Sequence, residues 1–211
     1  MRGARPLSND ELRIISDCFD GEFATRDKSL VLIGVSTGGR ISELLSLTIG
    51  DVYQNEKPVE TLHFNKHVVK GKENSRTVPV NSDGVKAISD LMQWHSEHFG
   101  DTDPQRPLFP SRQKRKGKQV AITRQRAHQV FKEVCEKSGL NGNLATHSLR
   151  KSYAQRLYAI LPDIFTVKEM LGHQDVKTTQ AYLGVDVEKV REASEAMIIG
   201  DNHESDTRSM E

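Results

Sequence analysis

Apolar positions recur at helical intervals over most of the chain and take on a strand-like pattern in only one region. Ser8 and Glu11 have the spacing of a capping box, and Leu12, Ile15 and Phe19 follow three or four residues apart, which predicts a first helix. Thr25 can cap a second helix. Its apolar run SLVLIGVS stops at Gly38-Gly39, just before Arg40, and ISELLSL restarts a helical turn. Between Asp51 and Val80 the pattern becomes β-like: VETLHFNKHVV and SRTVPV, rich in β-branched residues, flank the polar KGKENS and predict an antiparallel hairpin. Helical periods return after Ser82, at roughly 83–98, 123–138, 147–160, 164–172, 176–183 and 187–198, with 110–120 left as an exposed basic loop. The expected fold class is α+β, mainly α-helical, with a small antiparallel sheet. Residues 1–200 read as one folding unit and 201–211 as a disordered acidic tail.

Composition narrows the class. With 211 residues and 36% hydrophobic content the chain can bury one compact core. No run approaches the roughly 20 apolar residues of a membrane helix, and the N-terminus lacks a signal-like apolar segment, so a soluble, cytoplasmic protein is expected. Cys18 and Cys135 each sit inside an apolar helical pattern and read as buried thiols rather than a disulfide or metal site. The net charge of +1 hides a strong asymmetry. Between Pro104 and Lys132 there is no acid, whereas Arg112, Lys114, Arg115, Lys116, Lys118, Arg124 and Arg126 crowd the segment and suit a phosphate backbone. Beyond Tyr182 acids prevail, so that end should avoid a polyanion.

Four separated stretches carry candidate chemistry, and each has an ordinary reading when taken alone. In TGGRISELLSL a glycine pair presents Arg40 at a helix start with Glu43 three residues on; the arginine can fork onto two phosphate oxygens, or simply pair with Glu43 at the surface. The hairpin turn holds Lys70 and Lys72, either of which could donate a proton, although turns favour lysine in any case. In ATHSLRKSYA, His147 and Arg150 lie three apart on one helix face, able to meet one small anion. In EMLGHQDVKTTQAYL, Gly172 ends a helix, His173 sits in the turn, and Tyr182 follows nine residues later in the next helix, where a tyrosine is ordinarily a packing residue.

Together these residues change the picture. Arg40, Lys70 or Lys72, His147-Ser-Leu-Arg150, and Leu171-Gly-His173 followed by Thr178-Thr179 and Tyr182 stand in the order and spacing of the tyrosine recombinase (phage integrase) family. The chain resembles its catalytic domain over residues 8–198. The resemblance implies that Tyr182 is the nucleophile toward a DNA phosphate, that Arg40 and Arg150 hold nonbridging oxygens, and that His147 and His173 assist by hydrogen bonding. Glu43 is then a supporting residue. Counting back from Val78-Pro79, the family's lysine falls at Lys70 or, with another hairpin length, at Lys72; Lys70 is favoured.

The resemblance also implies chemistry without metal, ATP or other cofactor through a covalent 3′-phosphotyrosyl link. The partners it implies are double-stranded recombination sites, a homo-tetramer on synapsed DNA with helix 187–198 available for exchange between protomers, and accessory DNA-bending proteins. The family's N-terminal core-binding domain is expected to be absent, because Arg40 comes too early for one to fit; a fragment of a longer integrase and a short stand-alone recombinase both satisfy this. A type IB topoisomerase shares the tyrosine chemistry but is expected to lack the spacing from Leu171-Gly172-His173 to Tyr182. A noncatalytic DNA-binding regulator and a metal hydrolase built on His63, His67, His147 and His173 are the remaining readings, the last opposed by the lack of a nearby carboxylate at ligand spacing.

Overall fold

The computed structural model describes residues 3–65, 75–184 and 187–197, with the side chains of 187–190 left out of the description. The chain opens with α1 (Asn9–Ser16), whose N-cap Ser8 and Glu11 form the expected reciprocal capping box. Phe19 falls beyond this helix, which ends two turns after it begins. The second helix, α2 (Ala24–Thr37), starts at Phe23 without a side-chain cap, so Thr25 lies inside the helix rather than at its head. Most of α2 is buried, because α5 (Ser82–Phe99) packs on one side and α7 (Thr146–Ile160) on the other. That position explains an apolar run without a clear polar face.

Two single-turn helices, α3 (Ile41–Leu44) and α4 (Ile49–Val52), lead into β1 (Tyr53–Gln54) and β2 (Lys57–Pro58). The expected hairpin follows as β3 (Thr61–Phe64) and β4 (Arg76–Pro79), paired antiparallel with Leu62 opposite Val78 and Phe64 opposite Arg76. Lys70 and Lys72 lie outside the described residues. The segment 110–120 is not a loop. It forms β5 (Pro110–Arg115) and β6 (Lys118–Ala121), closed by Lys116-Gly117 with both residues at positive φ, the geometry of a two-residue hairpin turn. The strands of the described residues thus make three separate two-stranded pairs.

The C-terminal half continues with α6 (Arg124–Lys137), α7, α8 (Ile164–Leu171), α9 (Val176–Leu183) and α10 (Val187–Glu195). One core gathers Leu30, Ile33, Leu44, Leu62, Phe64, Val78, Ile88, Leu91 and Phe109 between α2, α5 and the strands. A second joins α1, α2, α6 and α7 through Leu12, Ile15, Val35, Phe131 and Leu149. A small third cluster, Ala154, Val167 and Leu171, carries Tyr182 and Leu183 at its edge. Cys135 is buried in the second core, but Cys18, expected to be buried, is only half-buried, its thiol donating to the Ile14 carbonyl at the frayed end of α1. Among the described residues no helix is long and apolar enough to cross a membrane.

Candidate active site

The site lies where two chain reversals meet. The end of α2 turns at Gly38 (φ 64°), where a Cβ would come within 2.4 Å of the Tyr153 ring, and a Cβ on Gly39 would meet Leu44 and Phe64 at 2.8 and 2.9 Å. Only glycine lets the backbone approach α7 and β3 this closely before Arg40 begins α3. The end of α8 turns at Gly172 (φ 67°) and delivers His173. Helix α9 then starts from its N-cap Asp175, whose side chain accepts from the Lys177 N–H, and carries Tyr182 back over α7. Gln155 of α7 donates to the Tyr182 and Leu183 carbonyls at 3.4 Å, tying down the last turn of α9.

Arg150 is the keystone of these reversals. It is 1% exposed, and its guanidinium donates to the Gly38 carbonyl at 2.6 Å and to the Leu171 carbonyl, joining the ends of α2 and α8. Its Nε is buried and unpartnered. Burial, with Arg40 and Arg76 close by, brings this guanidinium down to about 10, so it keeps its charge at neutral pH.

Around Arg150 the expected residues converge. The Tyr182 hydroxyl is hydrogen-bonded to His147 Nε2, with the two rings edge-on at 5.0 Å between centroids. His173 packs against the other side of Tyr182, also at 5.0 Å. Its Nδ1 is 3.0 Å from the buried Thr179 hydroxyl, and its own buried Nε2 has no partner. Burial, then Arg150, Arg40 and Arg76, lowers His173 to about 3. His147 is also held below its ordinary value, by desolvation first and then by Arg150, Lys151 and Arg40. Lys151 Nζ stands 5.8 Å from the centre of the Tyr182 ring. Both histidines are therefore neutral near pH 7, and each offers one imidazole nitrogen to chemistry.

The structure redraws the surroundings of Arg40. Glu43 is 3% exposed, and its principal partner is Arg76, which forks onto both carboxylate oxygens at 2.8 Å; Arg40 Nη1 is 3.7 Å away. Burial opposes the charge on Glu43, yet the Arg76 fork prevails and holds the carboxyl below its usual range. The Arg40–Glu43 pair is thus one side of a three-residue arrangement in which Glu43 and Arg76 are buried and Arg40 is half-buried. Arg76 carried a detectable signal: inward and outward residues alternate along β4, and Arg76 shares the inward side with Val78. Thr179, Gln155 and Lys151 are ordinary helical residues until α7 and α9 are brought together.

Three arginines and one carboxylate leave the site with excess positive charge, and the unpartnered Arg150 Nε and His173 Nε2 are unused polar atoms at its buried side. This arrangement can hold a small anion next to a tyrosine hydroxyl whose proton has a waiting acceptor. Among the described residues no three His, Cys, Asp or Glu side chains converge as a metal site; His63 instead meets the Thr77 hydroxyl across the β3–β4 pair at 3.0 Å, and His67 lies outside the described residues.

Of the basic residues, Lys114, Arg115, Lys116 and Lys118 crowd the exposed end of the β5–β6 hairpin, with Arg115 directly opposite Lys118. Arg112 nearer its base meets Glu22 at 3.3 Å, and Arg26 donates to the Pro110 carbonyl at 2.8 Å, anchoring the hairpin to α2. Arg124 and Arg126 are exposed in the first turn of α6, where Arg126 reaches Glu133 at 3.4 Å.

Comparison with known proteins agrees with this architecture. The tyrosine recombinase XerD of Mycobacterium leprae is 31% identical over 176 residues, covering 82% of this chain and 52% of that protein. XerC of Pseudomonas fluorescens is 33% identical over 177 residues, covering 83% and 54%. The chain spans about half the length of the curated relatives it matches. Among solved structures, XerA recombinase superposes with a TM-score of 0.70 at 24% identity over 92% of this chain and 64% of that one. XerH bound to palindromic difH substrate, in a post-cleavage complex, gives 0.68 at 26% identity over 90% and 52%. The phage integrase family pattern matches residues 6–189, and on that match this chain belongs to the phage integrase family of tyrosine recombinases.

Proposed function

We propose that the chain is the catalytic part of a site-specific DNA recombinase, cutting and rejoining strands through a covalent 3′-phosphotyrosyl intermediate. The observation that carries this reading is the Tyr182 hydroxyl bonded to His147 Nε2 beside the buried Arg150. In the first step Tyr182 Oη bonds to phosphorus as the bond from phosphorus to the 5′-oxygen breaks. The tyrosine proton passes to neutral His147, and the departing 5′-oxygen takes a proton from the hairpin lysine, Lys70 in preference to Lys72. Arg40, Arg150 and His173 bind the nonbridging oxygens, whose charge grows in the transition state. A 5′-hydroxyl from another strand reverses the step, and the phosphodiester bond energy is conserved without ATP.

The substrate is duplex DNA carrying recombination sites, a reading supported by the solved complex of the similar XerH with difH, and a protein acting on such DNA would work in the cytoplasm with the nucleoid. A homo-tetramer on synapsed DNA, with accessory bending proteins, completes the reading. Residues 191–197 are exposed throughout, Met197 at 74%, which suits a helix that finishes its packing on a neighbouring protomer. The direct test is a nicked suicide duplex bearing a recombination site. A covalent adduct mapped to Tyr182 and formed in the presence of chelator supports the proposal, and failure to form any adduct overturns it.

The site makes a pH prediction. Because His147 must be neutral to accept the tyrosine proton and its environment disfavours the charged form, the acid limb of adduct formation should lie below pH 6.5, its ordinary value. Rate is retained above that limb and lost as pH falls through it. A midpoint at or above 6.5 in single-turnover profiles would assign the proton to another group.

The β5–β6 hairpin is proposed to grip the phosphate backbone outside the cleavage point. Like charges directly opposite on paired strands are unfavourable unless an anion sits between them, as at Arg115 and Lys118. Converting Lys114, Arg115, Lys116 and Lys118 to glutamine should flatten the slope of log affinity against log salt by about 3 to 4, if each meets one phosphate. An unchanged slope in a fluorescence-anisotropy titration would reduce the hairpin to solvated surface.

A further inference from the structure

Arg76 enters the core at the start of β4, opposite Phe64, and stacks its guanidinium 4.5 Å from the centre of that ring. It is 7% exposed, and the carboxylate it forks onto is 3% exposed. A buried ion pair of this kind gains little stability over well-packed apolar residues, because both ions give up their hydration. Its placement therefore calls for another reason. Glu43 supplies one: besides taking the Arg76 fork at 2.8 Å on both oxygens, it accepts the Arg40 backbone N–H at 2.7 Å and lies 3.7 Å from the Arg40 guanidinium.

We propose that Arg76 is a positioning residue for the phosphate site, acting through Glu43 to set both the backbone and the guanidinium of Arg40. The inference rests on the recombinase reading above. A bidentate fork fixes the plane of the Glu43 carboxylate, which a lysine, with a single mobile point charge, cannot do. The fixed carboxylate caps the first turn of α3 at Arg40 and thereby sets the direction in which its side chain leaves the backbone. Arg76 takes the closer contacts to Glu43, at 2.8 Å on both oxygens, so that the Arg40 guanidinium is held at 3.7 Å from the carboxylate rather than in a close fork. The stacking on Phe64 and the β3–β4 register hold Arg76 itself in place.

The test compares adduct formation in single turnover on two suicide duplexes, one with an ordinary scissile phosphate and one with a methylphosphonate isomer that lacks one charged oxygen. The isomer used is the one that restores cleavage to Arg40→Ala. Arg76→Lys, which keeps the charge and loses the fork, should slow adduct formation about 10²-fold on the phosphate, the loss expected from a small displacement of a binding group. On the methylphosphonate, the variant should come within about threefold of wild type, since the oxygen Arg40 serves no longer carries charge. Glu43→Gln, of the same size, should give the same signature and serves if Arg76→Lys fails to fold. Equal losses on both duplexes would make Arg76 merely structural, and no loss on the phosphate would remove its role; either overturns the inference. A wild-type chain that forms no adduct on the phosphate duplex defeats the recombinase reading instead.

Discussion

Replacing Tyr182 with phenylalanine is expected to remove the covalent protein–DNA adduct, a loss of at least about 10⁴-fold, while duplex affinity stays within about twofold, because affinity comes from cationic contacts to the phosphate backbone. The substitution deletes one oxygen and leaves the rest of the side chain. The ring is half-buried at the edge of the Ala154–Val167–Leu171 cluster and lies edge-on between His147 and His173, contacts that phenylalanine retains. The lost hydroxyl is the atom bonded to His147 Nε2. Folding should therefore be nearly unaffected, and thermal unfolding of the two proteins would show it. The decisive measurement is denaturing gel electrophoresis of the protein after incubation with a nicked duplex. A shifted band that persists in Tyr182→Phe would mean that another residue attacks the phosphate, and the site would have to be rebuilt around it.

Much of this arrangement could be read from the sequence because two periodicities carry it. The capping box at Ser8 and Glu11 and the apolar spacings of α5, α6, α7, α8 and α9 fall within a residue or two of their observed limits. The chain reversals at Gly38 and Gly172 are local events that glycine announces. What escaped has physical causes. The β5–β6 hairpin is made of long cations and glutamines, with almost no β-branched residue, and its strand character comes from the Lys116-Gly117 turn and from docking of its base on Arg26. The fork between Arg76 and Glu43 spans 33 residues, and no local pattern encodes such a pairing. The three-residue spacing of His147 and Arg150 does place them near one another, but their environments differ: Arg150 is 1% exposed, whereas His147 stands at the surface of α7 and meets Tyr182. One spacing thus gives two environments, an interior tie at Arg150 and an accessible imidazole at His147 beside the Tyr182 hydroxyl.

That interior tie makes Arg150 the position where folding and chemistry are hardest to separate, and the two should respond differently to two substitutions. Arg150→Ala leaves the Gly38 and Leu171 carbonyls without their donor and opens a cavity among buried residues. Each abandoned buried acceptor costs about 1–3 kcal/mol, so a loss of roughly 3–5 kcal/mol in chemical denaturation is expected. That is a large share of the 5–15 kcal/mol typical of a domain. Arg150→Lys can keep one of the two carbonyl contacts and should lose less stability. Its cleavage rate, however, should fall at least about 10³-fold, because a lysine cannot bridge two helix ends and still offer a directed N–H to the phosphate. It also gives up its proton more readily than a guanidinium when buried among the other cations of this site. Measuring both variants at saturating DNA, below the temperature at which either unfolds, separates the effects. If Arg150→Lys cleaves within tenfold of wild type under those conditions, the directed guanidinium N–H of Arg150 is not needed for the chemistry, and its two carbonyl bonds make it a structural tie between α2 and α8.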